Sequence, residues 1–336
     1  MVKYIFCCLL LLQPMLFIYG QEIRTISIDA ANACPMNLSE IAERVTPIAL
    51  EKSSGGIQNI LLTNEYLFVA SISSIVQYDL SGKFIREIAC GGFVTSNVTC
   101  DTVKKEIYVP VGDKVKSYDY SGKMKKEYSL KTSSIYCLYH RGFLWIQSQD
   151  NLPDLSSNYI INKLDLSTGE VTTLPFEKKI EPVQFENGPL IGIGAMGCLS
   201  LYNEEVIVSF DFDTVFYKIQ QNKIIPFVRW DISPHAKSVI DSRPLRPNGI
   251  IGNNIFINYR RDDLFYMYSE NLKTGIKYDI SNIVDDVFQT NGQCNIRPMS
   301  SKDYFYFIKE KGDIKENSIG NIPLKNGAVI FIVKTK

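Results

Sequence analysis

Histidine is nearly absent from this chain. Only His140 and His235 occur in 336 residues, and neither neighbours a cysteine or a carboxylate cluster. No CxxC is present, so a structural zinc site is not expected. GxSxG, HExxH and P-loop motifs are missing too, which leaves no serine-hydrolase elbow, zincin helix or nucleotide cradle to build on. Net charge is also lacking: 36 basic side chains balance 36 acidic ones. That removes the electrostatic footprint of a protein that neutralises many phosphates, and nucleic acid is not expected as a partner. Amphipathic helices are scarce, with helical spacing confined to "NLSEIAERV" at 37–45.

What is present is an ordinary globular composition, 45% hydrophobic and 12% aromatic, with ample material for a core. Residues 1–20 combine a basic start, the apolar run "YIFCCLLLLQPMLFIYG" and a small residue at Gly20, the pattern of a cleaved secretory signal. Gln13 and Pro14 interrupt the run, and its apolar length is marginal for a span of about 20 residues, so no transmembrane segment is expected after cleavage. Cys7 and Cys8 leave with the signal, while Cys34 comes late for a lipid anchor and lacks the preceding leucine. Six cysteines remain and permit many pairings. Cys90 and Cys100 are the closest pair and the candidate disulfide; the plainer alternative is that both are small buried apolar residues.

The strongest signal is repetition. "YDLSGKFIREI" at 78 recurs as "YDYSGKMKKEY" at 118, continues as "YIINKLDLSTGEVTTLPF" with Asp165 and Gly169, and returns as "MYSENLKTGIKYDI" with Asn271 and Gly275. Each copy reads strand, turn, strand, because Asp or Asn offers a side-chain acceptor and Gly the positive φ of a tight hairpin turn. Upstream of these units lie aromatic and β-branched runs: "YLFVAS" at 66, "EIYVPV" at 106, "FLWIQS" at 143, "EVIVSF" at 205, "NIFINY" at 254 and "YFYFIK" at 304. Their starts are 40, 37, 62, 49 and 50 residues apart, and the shorter intervals match the roughly 40 to 50 residues of a four-stranded propeller blade. The pattern predicts an all-β, six-bladed β-propeller of four-stranded antiparallel blades. In each blade the aromatic run is the second strand, the Tyr-Asp segment ends the third, and the turn leads to an outer fourth. The last strand, "GAVIFIVK" at 327–334, is expected to complete a sheet begun by "VTPIALE" at 45–51, which closes the ring. Residues 21–44 form a lead-in with a short helix and 45–336 the propeller.

"LSEIAERVTPIALE", "YLFVASISSIVQYDLSGKFIREI", "VFYKIQQNKIIPFVRWDIS" and "IVDDVFQTNGQCNIRPM", in that order, resemble the six-bladed β-propeller family of exported proteins of Gram-negative gut-type bacteria, related in shape to NHL-repeat and TolB-like propellers. The resemblance spans roughly residues 37–336. It implies the propeller fold and an envelope location, periplasm or cell surface, with no settled activity. Two features depart from the family: "ACGGFVTSNVTC" replaces its Gly-Pro-Gly-Glu loop, and "LKNGAVIF" replaces its Asn-Pro before the closing strand.

Propellers bind through the loops of one face and through residues lining the axis. "RPLRPNGI" offers Arg243, Arg246 and Asn248, and "TNGQCNIRPM" offers Asn291, Gln293, Asn295 and Arg297. Guanidinium forks and carboxamides supply directional hydrogen bonds suited to a carboxylate or a sugar. Alternatively, these arginines cap strand ends or pair with Asp285 and Asp286. Asp211 and Asp213 in "FDFDTV" share one strand face at period two and could hold calcium or do acid–base work; the alternative is a strand end at a turn. "RRDD" at 260–263 reads as a solvated turn between second and third strands. Gly192, Gly194 and Gly197 mimic GxGxxG without the helix that would present amides to a pyrophosphate. "NLS" at 37 and "NVT" at 97 match the glycosylation sequon by chance in a bacterial export context. The function expected is a monomeric, non-catalytic envelope protein that holds a peptide, glycan or protein partner and needs no cofactor. The alternative is a hydrolase or lyase acting on a sugar-like substrate at the axis through Asp211, Asp213 or His235.

Overall fold

The computed structural model describes residues 23–29, 32–52, 56–94, 97–176, 178–180, 182–184, 190–191, 197–210, 213–232, 246–261, 264–315, 319 and 328–336. Six antiparallel meanders are arranged as a six-bladed β-propeller, each beginning at the axis and ending at the rim. Blade 1 runs Asn59–Leu62, Tyr66–Ala70, Ser74–Asp79 and Phe84–Ala89. Blade 2 runs Thr99–Asp101, Glu106–Val111, Lys114–Asp119 and Met124–Ser129. Blade 3 is Ser133–His140, Phe143–Asn151, Ser157–Asp165 and an outer edge split into Val171–Thr173 and Lys178–Ile180. Blade 4 is Gly197–Tyr202, Glu205–Phe210, Val215–Gln220 and Lys223–Ile232. Blade 5 is Arg246–Ile251, Asn254–Arg261, Leu264–Asn271 and Lys277–Val284. In blade 6, Arg297–Pro298, Tyr304–Glu310 and Ala328–Thr335 are completed by Ala42–Ala49, so an early strand is the outer edge of the last blade.

The aromatic runs are the second strands because a blade buries both of its faces against neighbours. One apolar cluster fills each of the six seams. Phe68 and Ile107 meet between blades 1 and 2, Tyr108 and Leu144 between 2 and 3, and Trp145 and Val208 between 3 and 4. Phe216 and Ile255 meet between blades 4 and 5, Phe256 and Phe331 between 5 and 6, and Tyr306 and Leu67 between 6 and 1. Residues alternate seams along a strand, which is why these strands read as continuous apolar runs.

The recurring Asp-x-Ser-Gly turn performs two tasks. Asp79 Oδ1 accepts from the Ser81 amide at 2.9 Å, the Ser81 hydroxyl at 2.6 Å and the Lys83 amide at 3.0 Å, and Asp119 repeats the set with Ser121 and Lys123. The glycine then lets the turn lie on the preceding blade. A β-carbon at Gly82, φ +88°, would stand 2.2 Å from the Ala49 carbonyl oxygen at the end of the ring-closing strand. At Gly122 it would meet Ile88 of blade 1 at 3.1 Å, and at Gly169 the side chain of Lys126 of blade 2 at 3.4 Å.

The lead-in is built differently from its sequence pattern. Arg24–Ile28 adds parallel to the outer strand of blade 4, Cys34–Asn37 adds parallel to that of blade 5, and Ala42–Ala49 then enters blade 6. Helical spacing at 37–45 yields a single turn, Leu38–Ile41, because the residues after it are taken by the closing strand. Asp286 caps that turn by accepting from the amide and hydroxyl of Ser39. Ile26, Ile28, Met36 and Leu38 are all buried, and Arg24 reaches Glu270, itself buried in blade 5. The N-terminal segment is therefore a belt along the rim of three successive blades. Among the described residues, no helix is long and apolar enough to cross a membrane.

The cysteines follow the plainer expectation. Cys90 and Cys100 are free thiols, so the bridge between them is not formed. Both belong to the seam of blades 1 and 2, where burial pushes the Cys90 thiol up to about 11 and the Cys100 thiol up to about 12. Asn97 of "NVT" is buried, and the Asn37 amide donates to Glu40 at 3.0 Å at the start of the helical turn.

Candidate functional site

Blade topology sorts the loops onto two faces. Strands alternate in direction, so the segments leading into each innermost strand lie on the same face as those joining second to third strands. Arg246 and Asn248 begin the innermost strand of blade 5, Arg297 begins that of blade 6, and Asn291 and Gln293 lie in the segment leading to it. Asp213 lies between the second and third strands of blade 4. All of them therefore share this face. Arg243, Asp211 and His235 lie outside the described residues, as do Gly192, Gly194, Asp262 and Asp263.

Residues 285–297 are fixed from beneath by two side chains, one at each end. Lys309, buried in the second strand of blade 6, donates to the carbonyl oxygens of Asn291 at 2.6 Å, Gly292 at 2.9 Å and Gln293 at 2.9 Å. All three ammonium protons are used on consecutive carbonyls, so the backbone is locked while Asn291, Gln293 and Asn295 remain exposed. Asp285 holds the other end of the segment, accepting from the amides of Val287 at 3.1 Å and Phe288 at 2.9 Å and from the Thr290 hydroxyl at 2.7 Å. Among the described residues neither Asp285 nor Asp286 pairs with an arginine; both are engaged in fixing local backbone and the helical turn of the belt.

Arg297 stands at the axis. Its Nη1 donates to the Ile57 carbonyl at 3.1 Å, and directly opposite it in the sheet stands Tyr306, whose hydroxyl donates to the Gln58 carbonyl at 3.4 Å. Burial raises the Tyr306 phenol above its ordinary value although Arg297 pulls the other way. A guanidinium carries five N–H donors, so the Ile57 contact orients Arg297 without exhausting it. Next to it the ring is laced together by polar groups. The Ser300 hydroxyl donates to the Val98 carbonyl at 2.6 Å, the Asn97 carboxamide joins Ser300 to the backbone of Cys137, and the Val98 amide donates to Asn59 at 3.3 Å. Blades 1, 2, 3 and 6 are thus tied directly to one another near the axis.

Tyr136 extends this polar lining from blade 3. It lies on the innermost strand, is half-buried, and has Cys198 of blade 4 as a neighbour. Enclosure is the main cause that holds this phenol well above its ordinary value, and the neighbouring Cys198 and Tyr306 add to it. Asp213 is placed otherwise. It is buried, accepts from the Tyr217 hydroxyl at 2.9 Å and pairs with Lys178 at 2.9 Å. It follows the end of the second strand at Phe210 and serves the turn there. Tyr136, Tyr306 and Lys309 were not singled out from sequence. Their one signal is a polar atom inside a run otherwise apolar, as with the lysine of "YFYFIK".

No family model matches the chain, and no curated protein matches it. Solved structures do. A Bacteroides fragilis protein described as exported aligns at a TM-score of 0.65 with 16% identity, covering 94% of this chain and 99% of that one. A DUF4221-family member from Bacteroides vulgatus aligns at 0.51 with 14% identity over 88% of this chain and 97% of its own. A Bacteroides thetaiotaomicron protein of unknown function aligns at 0.50 with 11% identity, covering 93% of this chain and 75% of that one. At these identities the likeness is one of fold: the chain is a six-bladed β-propeller.

Proposed function

We propose that the protein is an exported envelope binding protein that holds a carboxylate-bearing peptide or glycan at the axial mouth of its loop face, without catalysing its turnover. The observation that carries this reading is the segment 291–297, locked at residues 291–293 by Lys309, which carries three exposed carboxamides and ends at Arg297, whose guanidinium is held by the Ile57 carbonyl. Preorganised donors lose little freedom when a ligand arrives, which favours binding. The leader-like residues 1–20 support export. The competing hydrolase or lyase reading needs a free carboxylate at the axis, whereas Asp213 is engaged by Lys178 and Tyr217.

A thermal-shift panel of uronic acids, neutral sugars, free-acid peptides and their amidated forms tests the reading. Compounds with a free carboxylate are expected to raise Tm. Arg297→Gln is expected to weaken them by about 10- to 100-fold, the worth of a charge-assisted hydrogen bond. A panel in which Arg297→Gln binds every compound as the wild type does would overturn the proposal.

A further inference from the structure

The loop face carries an exposed apolar pair that the fold holds in place. Ile72, between the second and third strands of blade 1, is 52% exposed, and Phe93, in the segment leading into blade 2, is 58% exposed. Their backbones are fastened together: the Cys90 amide donates to the Ser73 carbonyl at 3.1 Å and the Val94 amide to the Ile72 carbonyl at 2.8 Å. The Lys116 ammonium donates to the Cys90 carbonyl at 2.8 Å, and a β-carbon at Gly92 would stand 2.7 Å from the Val111 side chain. Cys90 and Val94 are buried on either side. "CGGFV" therefore seats its backbone on blade 2 while Phe93 stays in solvent. Single apolar residues at a surface are ordinary, but an aromatic and a branched aliphatic residue on two segments bonded to each other form a preorganised contact.

A line of hydrogen bonds across blade 1 joins this pair to Arg297. Arg297 donates to the Ile57 carbonyl, the amide of the next residue, Gln58, donates to the Ala70 carbonyl at 2.9 Å, and Ile72 follows two residues on. Neighbouring strands lie about 4.8 Å apart, so two such spacings, roughly 10 Å, separate the guanidinium from the apolar pair. An extended peptide advances about 3.3 Å per residue, so a chain whose terminal carboxylate meets Arg297 brings a side chain about three residues earlier onto Ile72 and Phe93. Among the described residues no carboxylate pairs with the exposed Arg297, so a chain end supplies the charge that complements it. A single uronate ring carries its carboxylate beside its own apolar face and does not span this separation.

We infer that the loop face takes the free C-terminus of a peptide, with the carboxylate on Arg297 and a large apolar side chain, about three residues upstream, on Ile72 and Phe93. This rests on the proposed function for the carboxylate at Arg297 and narrows its ligand from a peptide or glycan to a peptide end with an apolar anchor. The guanidinium fixes where the chain stops, and the apolar pair selects which chains are held.

Titration calorimetry with acetylated Leu-Gly-Gly-Gly and Ser-Gly-Gly-Gly, each as the free acid and as the amide, and with digalacturonate separates the claims. The wild-type protein is expected to bind the leucine acid at least about tenfold more tightly than the serine acid, the worth of burying one leucine side chain. Ile72→Ser with Phe93→Ser should abolish that preference and leave the serine acid unchanged, while Leu155→Ser, at an exposed apolar residue of the same face in blade 3, should leave the preference intact. Arg297→Gln, like amidation, should weaken both peptides together. A preference that is absent in the wild type, or that survives in the double variant while Arg297→Gln weakens both peptides, overturns the apolar anchor and leaves the carboxylate reading standing. Arg297-dependent binding of digalacturonate without binding of either peptide does the same. If Arg297→Gln changes nothing, both readings fall. Should the double variant lower Tm, Phe93→Ser decides alone: an undiminished preference rejects the anchor.

Discussion

Blades 1–3 and blades 4–6 are the same meander held in two ways. In the first half each Gly-containing turn lies on the outer strand of the blade before it, and among the described residues no further strand adds to the rim. Those outer strands are guarded by charge or brevity: Arg86 and Glu87 in blade 1, Lys125, Lys126 and Glu127 in blade 2, three residues at Val171–Thr173 in blade 3. In the second half the N-terminal belt covers the rims of blades 4 and 5 and becomes the rim of blade 6. The turns there are released from docking. A β-carbon at Gly275 would meet nothing within 4 Å, and blade 4 turns through Gln221 and Asn222 at positive φ with no glycine at all. A propeller blade therefore needs its outer edge managed, and charge, brevity or an added strand each suffices.

The difference can be broken most forcefully at the belt. Ile26→Ala removes a side chain buried in the seam of blades 4 and 5 and should cost about 2–5 kcal/mol in urea denaturation, whereas Lys125→Ala on the outer strand of blade 2 should stay within about 0.5 kcal/mol. Equal effects would show that the belt is decoration. A graded effect is expected at the turns. Gly82→Ala must move the Ala49 carbonyl and should lose the most, Gly122→Ala less, and Gly275→Ala only the conformational cost of about 1–2 kcal/mol for a left-handed residue with a side chain. If all three lose the same amount, the turns do not brace neighbouring blades.

The smallest effect is in acid. Hydrogen bonds from Ser81, Ser121 and Ser167 hold the carboxyls of Asp79, Asp119 and Asp165 below the ordinary carboxylate range. A depressed folded-state value means stability that is complete above the unfolded value near 3.9 and is lost as pH falls through the folded one. The equivalent turn of blade 5 carries Asn271, which accepts from the amides two and three residues on, as Asp165 does, without titrating. Replacing the three aspartates with asparagine should therefore flatten the fall in urea midpoint between pH 5 and pH 2, with little change at pH 7. An unaltered acid limb would assign acid unfolding to other groups.

Blades were legible because their determinants are local: an acceptor and a glycine make a turn, and a strand buried on both faces must be apolar along its length. The belt was not, since "RTISI" and "CPMN" become strands only by adding to edges more than two hundred residues away. The short helix expected in "NLSEIAERV" occupies only Leu38–Ile41, because the second half of that stretch is claimed by Ala328–Thr335. At the site, Arg297, Asn291 and Gln293 stood out as polar loop residues. Lys309 did not, because a single polar residue within "YFYFIK" weighs little against its apolar neighbours until the fold shows what its ammonium faces.

The strand that closes the ring also sets a timetable. Ala42–Ala49 is synthesised well before its partner Ala328–Thr335, with five blades between them in the chain. Until that partner emerges, the early strand has an unpaired side and the sixth blade is incomplete, so closure registers that every blade of the ring has been made. A product cut short before residue 328 would carry this open edge permanently, giving proteases and chaperones a simple physical means of telling a finished ring from an unfinished one.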